Sequence, residues 1–175
     1  MSSSRGKPHV APFVGPPWPV AAAWLIAAVA LQATLVHYAA VRGVVPSLVL
    51  VTVVWYAIRV DPLRAAVYGL AAGVCEDALA AQTGAAWTIS TLLAAALASL
   101  LSRGFFADSI PLAAAVTVAV TLVRALLFWT TMSLEGYPSG LGAMHLREAL
   151  LAAALNVAVM IAAMLAARRF DVRGE

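Results

Sequence analysis

The chain has 175 residues, 63% of them hydrophobic and 11% charged, with a mean hydropathy of +0.94. A soluble domain is roughly half apolar and about a quarter charged, and a globule of this size has too little interior to hide the excess. The net charge of +3 does not point to nucleic acid, because the basic residues sit singly at the ends of apolar runs instead of forming a stripe interleaved with aromatics.

Residues 1–19 carry Pro8, Pro12, Pro16, Pro17 and Pro19 and read as an extended or disordered cytoplasmic tail. Arg5 and Lys7 resemble the start of a signal peptide, but the following run is long for one and no A-x-A site closes it. Residues 20–167 then read as a transmembrane domain of six helices, and 168–175 as a second cytoplasmic tail. Helix 1 is expected from Val20 to His37, interrupted only by Gln32 and Thr34. A turn at Arg42-Gly43 leads to helix 2, Val44 to Ile58, with Pro46 in its first turn, where a missing N–H costs little. That helix would span about 24 Å, short for a core of about 30 Å, with Arg42 and Arg59 reaching for the interfaces. Asp61-Pro62 turns the chain into helix 3, Leu63 to Leu79, and Gly84 breaks it again. Helix 4 covers Trp87 to Leu101 and ends on Ser102-Arg103-Gly104. Helix 5 opens at Ile110-Pro111 and reaches Thr131. A Gly- and Pro-containing loop, Leu134 to His145, precedes helix 6, Glu148 to Ala167.

With an even number of spans, both termini share a side with the 2–3 and 4–5 loops. That side holds Arg5, Lys7, Arg59, Arg64, Arg103, Arg168, Arg169 and Arg173, against Arg42 and Arg147 on the other. The positive-inside rule therefore predicts an N-in/C-in all-α membrane protein. Trp18, Trp55 and Tyr56 fall at the inner boundary, and Tyr38, Trp87 and Trp129 at the outer one.

Helix 3 carries the most information. At 100° per residue, Ala65, Gly69, Gly73, Glu76, Asp77 and Ala80 share an arc of about 120°, while Leu63, Val67, Leu70 and Val74 lie opposite and suit lipid. Gly69 and Gly73 form a small-xxx-small pair for close helix packing. Intramembrane acids are expensive and face a partner or a water-filled cavity. Arg124 in helix 5 is the expected partner of Asp77 or Glu76: counted from the inner end at about 1.5 Å per residue, Asp77 and Arg124 lie about 20 Å and 21 Å up. Glu148, Ala152 and Asn156 add a polar line at i, i+4 and i+8 on helix 6. The cluster Glu76, Asp77, Arg124, Glu148 and Asn156 reads either as a structural network fixing helix order or as an ion or substrate path.

Chemistry of other kinds has little support. Cys75 is the single cysteine, and His9, His37 and His145 share no metal-ligand spacing, so neither a disulfide nor a metal site is expected. Adjacent Glu76 and Asp77 point about 100° apart on a helix and cannot converge on one reacting atom. No phosphate-cradling loop and no His-x-x-Glu-His set occurs, so no catalytic residue and no cofactor are expected.

The stretch from Val45-Pro46 through Gly69-Leu-Ala-Ala-Gly73 to Asp77-Ala-Leu and Gly84 resembles the MreD family of bacterial rod-shape proteins. Those proteins share a Pro-started second helix, a third helix with glycines and then an aspartate, and a glycine in the next loop. The similarity covers residues 44 to 105 in detail. Glu76, where the family more often has an apolar residue, and the proline-rich leader depart from the pattern. The resemblance implies a multi-pass component of the bacterial inner membrane that is not an enzyme. It would bind MreC, a single-span periplasmic partner, and help couple MreB filaments to peptidoglycan synthases. The family's six-helix layout is similar to that of the substrate-binding subunits of energy-coupling-factor vitamin transporters, which makes such a subunit the alternative. Trp87, Trp129, Tyr137 and His37 would then line its outer pocket.

Overall fold

The computed structural model describes residues 15–34, 38, 40–80, 84–105, 108–136 and 138–171. Most of the leader, His37, Tyr137 and Arg173 lie outside them. The described residues form six α-helices: α1 Trp18–Thr34, α2 Leu48–Ala57, α3 Pro62–Ala80, α4 Ala86–Leu101, α5 Ile110–Leu134 and α6 Gly142–Asp171. A 3-10 turn, Ser139–Leu141, precedes α6. No β-strand occurs among the described residues, and the only strand-like pairing there is the Val41–Val44 bridge. That bridge closes a tight turn in which Arg42 (φ 52°) and Gly43 (φ 83°) both adopt left-handed backbone, the geometry of a type I′ turn.

Each helix end has a local cause. Pro62 opens α3 while the Asp61 carboxylate accepts from the Leu63 and Arg64 N–H groups, both at 3.1 Å, a proline-at-N1 start with an acidic cap. Ser109 caps α5 through the Leu112 N–H, and Pro111 follows in the first turn. Arg168 and Arg169 fall in the last turn of α6, where cations suit the carbonyl end of the helix dipole.

Several boundaries differ from the sequence reading. α1 begins at Trp18, inside the expected tail, because the Pro17 carbonyl accepts from Val20 and Ala21 and Pro19 needs no donor in a first turn. α2 is only 10 residues long. Val44 and Val45 are apolar enough to read as helix, yet Ser47 takes the cap position and accepts from the Leu50 N–H at 3.1 Å. Pro46 therefore stands before the helix, not in its first turn. α6 starts at Gly142, two turns before the expected Glu148, and continues helically through Arg168-Arg169.

α3 and α4 make the most extensive helix pair, followed by α5 with α6 and α4 with α5, while α2 touches α1, α3, α4, α5 and α6. The short, valine-rich α2 is thus the centre of the bundle, with Val49, Val53 and Val54 fully buried. Around it the outer faces are apolar: Leu63, Val67, Leu70 and Val74 of α3 are all exposed, Leu63 by 75%, as are Ile26, Leu126 and Leu146 on other helices. By length and composition, two helices can cross a membrane, α5 and the Gly142–Arg169 part of α6. Only 33% and 28% of their apolar windows are buried. Helices hidden in the core of a soluble protein would be covered on most sides, whereas these present long apolar surfaces outward.

Candidate functional site

α3 fixes the site by how closely it approaches α4. A Cβ at Gly69 would lie 2.5 Å from Ala95 Cβ, and one at Gly73 2.5 Å from Thr88 Cα and 2.7 Å from the Trp87 carbonyl oxygen. The glycine face therefore places α3 backbone against α4 backbone, which sets the acids one turn further along against the start of α4.

Asp77 uses that position to cap α4. Its Oδ1 accepts from the Trp87 N–H at 3.1 Å, and its Oδ2 from the Thr88 N–H at 2.8 Å and the Thr88 hydroxyl at 2.6 Å. The residue at the N-cap position, Ala85, has no side-chain oxygen, so α3 supplies the anion that the open N–H groups need. Glu76, about 100° round the helix, faces α5 instead. Its Oε2 pairs with Arg124 Nη2 and accepts from the Thr91 hydroxyl at 3.1 Å, and that same hydroxyl accepts from Arg124 Nε at 2.9 Å. The three groups close a ring with side chains only 6% (Arg124) and 13% (Glu76) exposed. The guanidinium also lies 4.4 Å over the Trp87 ring, a cation–π contact. Trp87 in turn stacks on Phe128 at 4.0 Å, and Phe128 on His145 at 5.9 Å.

A second network serves the backbone ahead of α2. The Leu48 N–H donates to Gln32 Oε1 at 2.7 Å, and Gln32 Nε2 donates to the Pro46 carbonyl at 3.3 Å. The Ser47 N–H donates to Asn156 Oδ1 at 2.7 Å, and Asn156 Nδ2 donates to the Thr121 hydroxyl at 3.2 Å. The Thr121 hydroxyl itself donates to the Thr117 carbonyl at 2.7 Å. Between the two networks lies a cavity of about 260 Å³ bounded by Gln32, Glu76, Trp87, Arg124, His145 and Asn156, among others.

The structure thus brings Glu76, Arg124 and Asn156 around one cavity, with Asp77 behind them at the head of α4. Glu148 does not join them. An i, i+4, i+8 line drifts by about 80° over its length, and the buried face of α6 runs instead through Ala149, Ala153, Asn156, Met160 and Met164, leaving Glu148 exposed. Trp87 and Trp129, both expected in one outer pocket, line different spaces: Trp129 borders an apolar groove of about 440 Å³ between α5 and α6, which shares His145 with the polar cavity. The sequence alone gives Gln32, Ser47, Thr91, Phe128 and His145 no place in the site. For Gln32, the signal was its place as a lone amide in a long apolar run, since such a group needs a partner. Among the described residues, no group of three His, Cys, Asp or Glu side chains is placed to hold a metal ion.

The two networks tie side chains of α1, α3, α4, α5 and α6 to one another and to the backbone ahead of α2. Such an arrangement can orient helices and hold irregular backbone, and the stacked Trp87, Phe128 and His145 side chains also border the cavity. No protein-family model, no curated protein and no solved structure matches the chain.

Proposed function

We propose that this chain is a six-span, N-in/C-in protein of the bacterial inner membrane that acts as a non-enzymatic scaffold of the MreD type. In this role it binds an MreC-like bitopic protein and helps couple MreB-like filaments to peptidoglycan synthesis. The observation that carries the reading is the use made of the residues behind the resemblance. Gly69 and Gly73 bring α3 onto α4, Asp77 caps α4, and the departure at Glu76 is matched by Arg124 on α5. These groups hold helices in order, which is what a rigid docking platform requires. The apolar outer faces of α3, α5 and α6 support immersion in lipid. Co-purification with an MreC-like protein from native membranes tests the scaffold directly, together with cell rounding on depletion. Normal shape and no captured bitopic partner would reject it.

The cavity of about 260 Å³ favours a second reading, a substrate-binding subunit of a small-molecule transporter. Its size approaches the lower end of ligand pockets, and a few polar groups converge on an aromatic lining. Stabilisation by a vitamin in a thermal-shift screen, with loss of that vitamin's uptake on depletion, would establish this reading in place of the scaffold.

A further inference from the structure

At the basic end of the bundle, a notch of about 340 Å³ opens between the end of α2, the start of α5 and the end of α6. It is lined by Trp55, Arg59, Asp108, Met164, Ala167 and Arg168. We propose that this notch binds the phosphate of an anionic phospholipid headgroup, an inference that rests on the membrane reading above but not on the scaffold role.

The notch is a built feature. Arg59, with a side chain 16% exposed, places its guanidinium carbon 4.3 Å over the Trp55 ring and donates from Nη1 to the Trp55 carbonyl at 2.8 Å. Its Nη2 donates to Asp108 Oδ1 at 3.0 Å. A guanidinium has five N–H donors in a fixed fork, so Arg59 keeps donors beyond these two. Arg168 reaches in from α6 and donates from Nη2 to the Asp108 carbonyl. Two guanidiniums against one carboxylate leave one positive charge, which matches the single negative charge of a phosphodiester. Burial pulls the Arg59 guanidinium below its ordinary basicity, and Asp108 only partly opposes this. That carboxylate is itself 86% exposed, so it is largely solvated and can share Arg59 with an incoming anion.

The surroundings suit a lipid more than a free anion. Trp55 pairs with Trp24 of α1 at 6.3 Å, and Trp24 is exposed, as expected of rings at the headgroup level. Met164 and Ala167 offer an apolar floor for the glycerol and first methylenes. Basic pockets between helices on the cytoplasmic side are a recurring site for acidic headgroups, and paired guanidiniums bind phosphate with matched geometry. Arg64, by contrast, pairs with Asp61 at 3.5 Å on the same helix turn, and exposed Arg103 does not line this notch.

The test uses the full-length protein in phosphatidylcholine nanodiscs. Phosphatidylglycerol is added as a small fraction, with extra phosphatidylcholine or inorganic phosphate as the comparison arms. Retained lipid is read by native mass spectrometry and stability by the unfolding midpoint. Phosphatidylglycerol should be retained and should raise the midpoint, and neither other addition should do so. Arg168→Gln, at an exposed position, should weaken retention about tenfold, the worth of one charge-assisted contact. Asp108→Asn should strengthen it, because it removes the competing carboxylate, and Arg103→Gln should change nothing. Equal losses in Arg168→Gln and Arg103→Gln would reduce the effect to diffuse surface charge and overturn the site. Weaker retention in Asp108→Asn would make that residue structural and overturn it as well, and equal stabilisation by inorganic phosphate would overturn the lipid assignment. A chain that fails to float with vesicles at all would instead reject the membrane reading.

Discussion

Arg124 is the residue whose removal tests most of the architecture at once. It is 5% exposed, pairs with Glu76, donates to Thr91 at 2.9 Å and covers the Trp87 ring at 4.4 Å. Arg124→Leu leaves the largely buried Glu76 carboxylate with the Thr91 hydroxyl as a remaining donor. Breaking a buried pair from one side costs about 3–5 kcal/mol, which lowers the folded-to-unfolded ratio more than about 100-fold. Adding Glu76→Gln removes the stranded charge while an amide can still meet Thr91, so the double variant should recover about 2–3 kcal/mol as an interaction energy. Asp77→Asn should give no such rescue, because its carboxylate serves the Trp87 and Thr88 N–H groups of α4. The cycle can be measured by equilibrium unfolding in mixed micelles, read by tryptophan fluorescence. A loss below about 1 kcal/mol for Arg124→Leu, or rescue by Asp77→Asn as large as that by Glu76→Gln, would refute the reasoning.

Gly73→Ala should destabilise by about 1–3 kcal/mol through overpacking, since the new methyl meets α4 backbone at 2.5 Å; a neutral result in the same unfolding assay would contradict the close approach of α3 and α4. Asn156→Leu strands the Ser47 N–H and should cost about 1–3 kcal/mol, whereas Glu148→Leu, at an exposed position, should stay within about 0.5 kcal/mol. Alkaline phosphatase fused after Arg173 should be inactive and the same enzyme inserted at Ser139–Leu141 active, and the reverse pattern would invert the proposed orientation.

The two faces of α3 were legible from residue periodicity alone. Leu63, Val67, Leu70 and Val74 are exposed and Gly69 and Gly73 buried, because one helix with a fixed 100° step sorts its residues without help from neighbours. The choice between Glu76 and Asp77 as partner of Arg124 was not legible. It depends on where α4 begins relative to α3, and that is set by contacts of the two glycines. The place of Pro46 differs for a related reason: hydropathy counts Val44 and Val45 as helix, whereas the start of α2 is decided by Ser47 and by side chains from α1 and α6. Glu148 lies off the buried face because a line of polar residues spaced by four drifts around the helix, while the buried residues of α6 are spaced by four, three, four and four. Thr91 carries no sequence signal of its own, since a threonine in a helix can satisfy itself on the carbonyl four residues back, as Thr117 does on Ala113 at 2.7 Å.

The backbone ahead of α2 has a consequence in time. Non-helical peptide groups at membrane depth persist only when other protein groups satisfy them. Gln32, 16 residues before Leu48, leaves the ribosome before the groups it serves and is ready when they arrive. Asn156, which serves the Ser47 N–H, follows 109 residues later. At about 5–20 residues per second, that N–H waits about 5–20 s for its partner. On the six-span reading, the oldest gap in the bundle is therefore closed by the youngest helix, and a nascent chain arrested before α6 holds its central helix with one end open.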